Sequence, residues 1–357
     1  MTKRGNTWMF PVVVLSIASV TPPPLEAQCA TAPAACTEFV PVGEGVRRIF
    51  VYRSHALTTP DSSITRALVV VHGAERAARY EFRSALAGAF LAGALGNTVI
   101  IAPRFMTNDG SSCTDSLRSN ELNWDCDVQR VDWRLGGMAR NDSTTSSFDA
   151  MDAILLRIAR RAEFPNLRAI VVAGHSAGGQ FVTLYAMTNR VHDRLGVEVS
   201  YVVANASAYA YLDDRRPSST WLAKSSTLDP SDTTRIVFAR YSGAQECPTY
   251  DSWPFGLTNR PLYAKRLSDA QLAQQASQRT VTYLLSQLDV RPPGGFFGSC
   301  AAMPQGTTRL SRGLAFVGYM AQLNHAPHKS IIIDACGHDP RCVYTSDDAL
   351  PVLFSRR

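Results

Sequence analysis

One serine stands in a sequence context that favours nucleophilic chemistry. Residues 170–187, IVVAGHSAGGQFVTLYAM, join an apolar run rich in β-branched residues to a helix-like stretch, and Ser176 lies between Gly174 and Gly178. A sharp turn from a buried strand into a helix exposes the hydroxyl, and it requires glycines where backbones approach closely. The N–H of Ala177 would then begin the helix, where partial positive charge favours an oxyanion. The pattern predicts a nucleophilic serine.

Such a serine needs a base within hydrogen-bond reach and an acid that orients the base. His338 is the predicted base, because it ends the predicted strand KSIIIDACGH (329–338) and the base is expected at the carboxyl end of a strand. The alternative is a loop histidine held beside a disulfide. Asp289, which ends the run VTYLLSQLD, is the predicted acid. Asp213 and Asp214 stay open as rivals, because the acid can also follow the preceding strand.

An oxyanion hole requires a second donor besides Ala177. The segment VVVHGAER, residues 69–76, reads as a strand that ends in His-Gly, and the following loop predicts the backbone N–H of Ala74 as that donor. His72 is expected to support this loop rather than to exchange protons.

These residues lie at the ends of alternating strand-like and helix-like segments. Continuous apolar runs are typical of parallel strands buried on both faces, so the order predicts a mostly parallel sheet with helices on both sides. Strands are predicted at 46–54, 66–73, 98–105, 167–174, 197–207, 279–289 and 329–338, and helices at 79–95, 146–164 and 177–190. Ser146 and Asp149 have the spacing of a capping box.

The polar segment 106–145 is long for a loop in a compact domain, which predicts a lid-like insertion or a binding segment. We expect one catalytic domain, residues 28–357, that contains this insertion.

The first 27 residues have the pattern of a secretory signal peptide. Lys3 and Arg4 precede an apolar run at 8–20, and Ala27 ends a plausible cleavage site. The run is too short for a comfortable transmembrane helix, and no other stretch is long and apolar enough. A lipid anchor on Cys29 is the weaker alternative. The mature chain is therefore predicted to be secreted or periplasmic.

Eight cysteines in an exported chain predict disulfides. Local spacing favours the pairs Cys29–Cys36, Cys113–Cys126 and Cys336–Cys342, which leaves Cys247–Cys300.

Charge and motifs argue against several other functions. The formal net charge of +6 is spread without a basic run, so no nucleic-acid partner is expected. No G-x-G-x-x-G follows a strand, and we predict no cofactor. A metal site built from His325, His328 and His338 with Asp334 or Asp339 is the remaining metal alternative, and it lacks the HExxH pattern.

With these residues in place, the chain resembles the α/β-hydrolase superfamily, and most of all secreted esterases, lipases and polyester depolymerases. The segments that carry the likeness are HGAER, SSFDAMD, AGHSAGGQ, CPTYDSWPFGL (247–257), SCAAMPQGTTRLSRG (299–313) and CGHD. The resemblance implies an α/β-hydrolase fold, a Ser176–Asp289–His338 triad and acyl transfer without a cofactor. The oxyanion loop departs from the pattern, because it reads Gly-Ala-Glu where some lipases have Gly-Gly-Gly.

Predicted export suggests an extracellular ester, either a small molecule or a polymer, as substrate. An amidase or peptidase with the same triad is the alternative, and a binding protein on this scaffold would not need all three residues. Five aromatic residues are candidates for an acyl or aromatic pocket, with packing in the core or under the lid as the alternative: Trp124, Trp133, Tyr209, Tyr250 and Trp253.

Overall fold

The computed structural model describes residues 1–2, 29, 32–110, 113–126, 131–224, 236–292, 295–323 and 327–354. The predicted signal peptide, apart from residues 1 and 2, lies outside the described residues, so its prediction stays open. Within the described parts of the chain, no helix is both long and apolar enough to cross a membrane.

An eight-stranded sheet forms the centre of the structure. The strands of the described chain are β1 Thr37–Pro41, β2 Arg48–Arg53, β3 Arg66–Val71, β4 Thr98–Arg104, β5 Met138–Ala139, β6 Asp142–Ser146, β7 Ala169–His175, β8 Glu198–Ala204, β9 Arg215–Pro217, β10 Phe238–Arg240, β11 Val281–Ser286 and β12 His328–Ile333. The central sheet has the order β1-β2-β4-β3-β7-β8-β11-β12, and its six strands from β4 to β12 run parallel. All seven predicted strands belong to this sheet.

Strand β1 lies in a segment that the sequence suggested only as an extended entry to the domain. It pairs antiparallel with β2 at the edge of the sheet, and most of its residues are half-buried. A five-residue edge strand has neither a long apolar run nor a buried second face, so its sequence carries a weak signal.

Helices cover both faces of the sheet. They are α1 Ala78–Leu91, α2 Ser147–Ile158, α3 Ala177–Thr188, α4 Ser219–Lys224, α5 Leu262–Lys265, α6 Asp269–Gln278, α7 Arg309–Ala321, α8 Pro340–Tyr344 and α9 Leu350–Leu353. Alternate residues of β3 pack into two apolar clusters. Ala67, Val69 and Val71 face the cluster of α2, α3, α6 and α7, whereas Leu68 and Val70 face that of α1, α8 and α9. Burial on both faces explains the continuous apolar runs.

The predicted capping box is present at the start of α2. The Ser146 hydroxyl accepts from the Asp149 N–H, and the Asp149 carboxylate accepts from the Ser146 N–H. The helix ends at Ile158, earlier than predicted, because the chain turns at residues 161–163 and then buries Phe164 ahead of Pro165.

The insertion at 106–145 is tied closely to the domain in its described parts. It contains a 3-10 helix at Trp133–Leu135 and the short β5–β6 hairpin. Trp124 and Trp133 are at most 1% exposed and belong to the main core cluster. Its action as a lid stays a prediction.

The eight cysteines form four pairs, and the predicted pairing is confirmed: Cys29–Cys36, Cys113–Cys126, Cys247–Cys300 and Cys336–Cys342. The last pair closes a short loop around His338, directly after β12.

Candidate active site

Ser176 stands on a strained turn between β7 and α3. Its backbone has φ +58° and ψ −119°, a region that costs a residue other than glycine about 1–3 kcal/mol. The Ser176 N–H donates to the carbonyl of Ala204 at 2.9 Å, and the Ser176 carbonyl accepts from the N–H of Gln180 at 3.0 Å. These bonds to β8 and α3 hold the turn in a conformation that it would not adopt alone.

The glycines around Ser176 are required by close backbone contacts. A Cβ on Gly174 would lie 2.3 Å from the Gly178 carbonyl oxygen, and one on Gly178 would lie 2.1 Å from that of Val71. A Cβ on Gly179 would lie 2.6 Å from the carbonyl oxygen of Ala204. Helix α3 therefore presses against the ends of β3, β7 and β8, as the sequence pattern predicted.

The side chains of Ser176, His338 and Asp289 form a continuous hydrogen-bonded series. His338 Nε2 lies 2.9 Å from the Ser176 hydroxyl, and His338 Nδ1 lies 2.7 Å from Asp289 Oδ2. A carboxylate accepts only, so Nδ1 carries the proton and Nε2 is free to accept from the serine. Asp289 is 2% exposed, whereas the side chain of His338 is 32% exposed and reaches solvent.

The two loops that carry Asp289 and His338 are bonded to each other through their backbones. Both follow parallel neighbours, β11 and β12, whose carboxyl ends lie at one edge of the sheet. The N–H of Leu288 donates to the carbonyl of Cys336 at 2.9 Å, and that of Gln287 donates to Ile333 at 3.0 Å. Asp289 and His338 are thus positioned by the same sheet edge.

The rival acids are engaged elsewhere. Asp213 lies 2.7 Å from the guanidinium of Arg215, and Asp214 lies 3.2 Å from that of Arg240. Neither contacts His338 in the described structure, so the geometry favours Asp289 as the partner of the histidine.

Of the two predicted oxyanion donors, Ala177 directly follows Ser176, and Ala74 belongs to the loop after β3, which approaches Ser176 at Gly73. Ala177 is the first residue of α3 and is 2% exposed, so its N–H belongs to the free N-terminal end of the helix. Ala74 is exposed in a turn closed by the N–H of Arg76 and the carbonyl of Gly73. A Cβ on Gly73 would lie only 3.7 Å from that of Ser176, so this loop lies against the serine.

His72 is hydrogen-bonded to the loop after β3, the predicted oxyanion loop. Its Nδ1 donates to the Gly73 carbonyl at 2.9 Å, and its Nε2 accepts from the Phe105 N–H at 3.1 Å. Burial lowers the pKa of His72 to about 3, so the ring is neutral. It bridges β3 and the end of β4 as a fixed structural group.

Asp115 ties this loop to the insertion. Its carboxylate lies 2.6 Å from the guanidinium of Arg104 and 3.4 Å from Nε of Arg76. Arg76, at φ +55°, also contacts the disulfide formed by Cys113 and Cys126.

The five aromatic pocket candidates are buried, between 0% and 7% exposed: Trp124, Trp133, Tyr209, Tyr250 and Trp253. Trp133 packs on His72, with ring centroids 4.5 Å apart, and Tyr209 stacks on Phe316 at 4.7 Å. Trp253 donates from Nε1 to the carbonyl of Leu135 at 2.8 Å. These contacts give them packing roles around the site, and direct contact with a substrate stays a prediction.

The alternative metal set does not come together in the described residues. No group of three or more metal-ligating side chains occurs among them, and His325 lies outside them. Both ring nitrogens of His328 are engaged, with the Tyr283 hydroxyl at 2.9 Å and the Ala276 carbonyl at 2.8 Å.

Sequence patterns gave no sign of a buried carboxyl beside the oxyanion loop. Glu81, in the first turn of α1, is 3% exposed. Burial raises its pKa to about 8, against a smaller lowering by the backbone N–H of Gly73, and the charge of Asp339 raises it further. An acidic residue in the first helical turn is ordinary, so only the tertiary structure distinguishes it.

With this geometry in view, comparison with known proteins identifies the fold. No family model matches the chain, and a search of curated proteins found no match. Among solved structures, poly(aspartic acid) hydrolase-1 from Sphingomonas sp. KT-1 is similar with 19% identity and a TM-score of 0.54, over 86% of this chain and 94% of that one.

A second similar structure is LpqC, a poly(3-hydroxybutyrate) depolymerase from Bordetella parapertussis. It has 18% identity and a TM-score of 0.55, over 88% of this chain and 86% of that one. Both have the α/β-hydrolase fold, and the likeness shows that this chain has it too.

Glu81 gives the site a testable pH dependence of stability. Its pKa rises from 4.5 to about 8 on folding, so its contribution to stability is complete below about pH 4.5 and is lost as the pH rises through about 8. Glu81→Gln removes this titration. Between about pH 6 and about pH 9, we expect the wild-type Tm to fall at least about 2 °C more than that of the variant.

Thermal unfolding followed by circular dichroism checks this, with Glu75→Gln, an exposed glutamate of the adjoining loop, as the matched control. Parallel Tm–pH curves for wild type and Glu81→Gln would show that Glu81 is not the titrating group.

Proposed function

We propose that this chain, which has the α/β-hydrolase fold, is an exported serine hydrolase that cleaves carboxylic esters through an acyl-enzyme. The observation that carries the proposal is the hydrogen-bonded series from the Ser176 hydroxyl, through both nitrogens of His338, to the buried carboxylate of Asp289. This series supplies a nucleophile, a base and an acid that fixes the tautomer of the base.

In the first half of the reaction, the Ser176 hydroxyl attacks the acyl carbonyl while its proton passes to His338 Nε2. The carbonyl oxygen becomes an oxyanion, which the N–H groups of Ala177 and Ala74 stabilise. The tetrahedral intermediate then expels the alcohol, which takes the proton from His338, and the acyl group remains bonded to Ser176. Asp289 holds the imidazole and offsets its charge while it is protonated.

In the second half, water replaces the alcohol. His338 takes a proton from the water as its oxygen attacks the acyl carbonyl, and a second oxyanion forms in the same place. Collapse of this intermediate breaks the bond to Ser176, whose oxygen regains the proton from His338. The carboxylic acid leaves, and the enzyme returns to its starting state.

Export and a polymeric substrate are supported by indirect observations. Four disulfides fit an oxidising compartment, and the predicted signal peptide provides the route. LpqC is described as a depolymerase of poly(3-hydroxybutyrate), which supports an ester polymer as a candidate substrate for this chain. Amide bonds are the alternative, because the same three residues cleave them by the same steps.

A direct test replaces the nucleophile. We expect Ser176→Ala to lower the hydrolysis of p-nitrophenyl esters, from acetate to palmitate, by about 10⁴-fold or more, because the base then has no hydroxyl to activate. Ser84→Ala is the control, since Ser84 is a buried serine whose hydroxyl donates within α1. Full activity of Ser176→Ala would refute the mechanism. Equal rates on matched anilides would instead indicate an amidase.

A second variant pair identifies the acid. Asp289→Asn should reduce kcat by about 10⁴-fold, because an amide nitrogen cannot accept the Nδ1 proton and the imidazole adopts the wrong tautomer. Asp213→Asn, at the rival position, should change kcat little, because Asp213 pairs with Arg215 away from His338. Steady-state kinetics of both variants on one p-nitrophenyl ester decides between the two carboxylates. A large loss of kcat in Asp213→Asn with little loss in Asp289→Asn would assign the acid to Asp213.

A further inference from the structure

The buried carboxylate of Asp289 needs a positive partner that His338 does not supply at rest. His338 must be neutral to accept the serine proton, so before the reaction their contact joins a charge to a neutral ring. Asp289 is 2% exposed, and a buried carboxylate without compensation takes up a proton instead of staying charged. A protonated Asp289 would no longer hold the imidazole in the required tautomer.

Arg309 brings a guanidinium to the other oxygen of that carboxylate. Arg309 Nη1 lies 3.6 Å from Asp289 Oδ1, whereas His338 bonds to Oδ2. The Arg309 side chain is 18% exposed, and its Nε donates to the Ser207 hydroxyl at 3.4 Å. The arginine is therefore held beside the carboxylate on the side away from the histidine.

The start of α7 fixes Arg309 in this place. Arg309 is the first residue of the helix, whose N-terminus is closed by a capping box between Thr308 and Ser311. The next residue, Leu310, donates its N–H to the backbone carbonyl of Asp289 at 3.4 Å. One short segment thus bonds to the backbone of the acid and supplies a charge to its side chain.

We propose that Arg309 is a positioning residue that keeps Asp289 ionised and directed at His338 while His338 is neutral. The inference rests on the proposed function of the Ser176, His338 and Asp289 series. Arg309 acts through the carboxylate and does not itself touch the reacting atoms.

Other titratable groups face this pair from the elements packed around it. From β7, His175 is buried, and burial together with the charges of His338 and Arg309 lowers its pKa. From the segment after β8, Tyr209 has a pKa raised by burial and by the charge of Asp289. On α7, Arg312 donates to backbone carbonyls, and burial lowers its pKa to about 10.

Among the described residues, Arg309 and His338 are the two basic groups within ion-pair distance of Asp289. Removal of Arg309 therefore leaves the resting carboxylate with a neutral ring as its side-chain partner. This makes the charge of Arg309, rather than its bulk, the property to test.

The test measures kcat and KM for p-nitrophenyl acetate from about pH 5 to about pH 10. In Arg309→Gln, the pair formed by the carboxylate and the imidazole takes up a proton more readily. We therefore expect the pH at which kcat is half-maximal on the acidic side of its pH profile, here called the midpoint, to rise by about one pH unit. At a pH well below the midpoint, kcat should therefore fall about tenfold, with KM little changed.

Two further variants separate charge from structure. Arg309→Lys keeps the charge and should retain the wild-type midpoint. Arg291→Gln makes the same charge change at an exposed residue near Asp289 and should leave the profile unchanged. A merely structural role would lower the rate at every pH without moving the midpoint.

An unmoved midpoint in a folded Arg309→Gln protein, or a midpoint in Arg309→Lys that rises as far as in Arg309→Gln, would overturn the inference. If thermal unfolding shows that Arg309→Gln does not fold, Arg309→Lys alone decides: a wild-type midpoint supports the inference and a raised midpoint overturns it.

Ser176→Ala, assayed in parallel, distinguishes a failure of the proposed function from a failure of the inference about Arg309. If it is as active as wild type, the proposed function fails and the inference falls with it; if it is inactive while Arg309→Gln is normal, only the inference fails.

Discussion

The close contact of α3 with the ends of three parallel strands is the constraint on which the site depends. Gly178 and Gly179 leave room for the carbonyl oxygens of Val71 and Ala204, distances that no Cβ would allow. The chain between β7 and α3 must therefore turn within one residue, and Ser176 takes the positive φ that this requires. Hydrogen bonds to Ala204 and Gln180 offset the strain, so the hydroxyl is held above the sheet rather than free in a loop.

The other groups reach the serine because the sheet is parallel. Its carboxyl ends carry the loop after β3, Asp289 after β11 and His338 after β12 to one edge. Each loop is then fixed by its own contacts: His72 bonds to the loop after β3, Leu288 bonds to Cys336 between the loops of Asp289 and His338, and Leu310 of α7 bonds to Asp289. The proposed chemistry therefore depends on the order of the parallel strands, which brings the loops together, as well as on the residues themselves.

The sequence predicted what depends on local pattern. Buried strands, the capping box of Ser146, the serine turn and the three local cysteine pairs follow from periodicity, spacing or glycine requirements, and Cys247–Cys300 was predicted only as the remaining pair. Glu81 escaped prediction because an acidic residue in a first helical turn is ordinary and its burial arises only from the tertiary structure. Arg309 escaped prediction because its contact with Asp289 joins segments that only the tertiary fold brings together. The size of an aromatic residue did not by itself distinguish a position in the core from a position in a substrate pocket. All five aromatic candidates for the pocket are buried.

The proposed chemistry depends on Ser176 as the activated nucleophile. The most direct test is reaction with a fluorophosphonate, followed by digestion and mass spectrometry of the peptides, because such reagents bond to a serine only when a neighbouring base activates it. We expect one phosphonyl group per chain on the peptide that contains Ser176, and no labelling of the Ser176→Ala protein. A wild-type protein that stays unlabelled, or that carries the group on another residue, would contradict it.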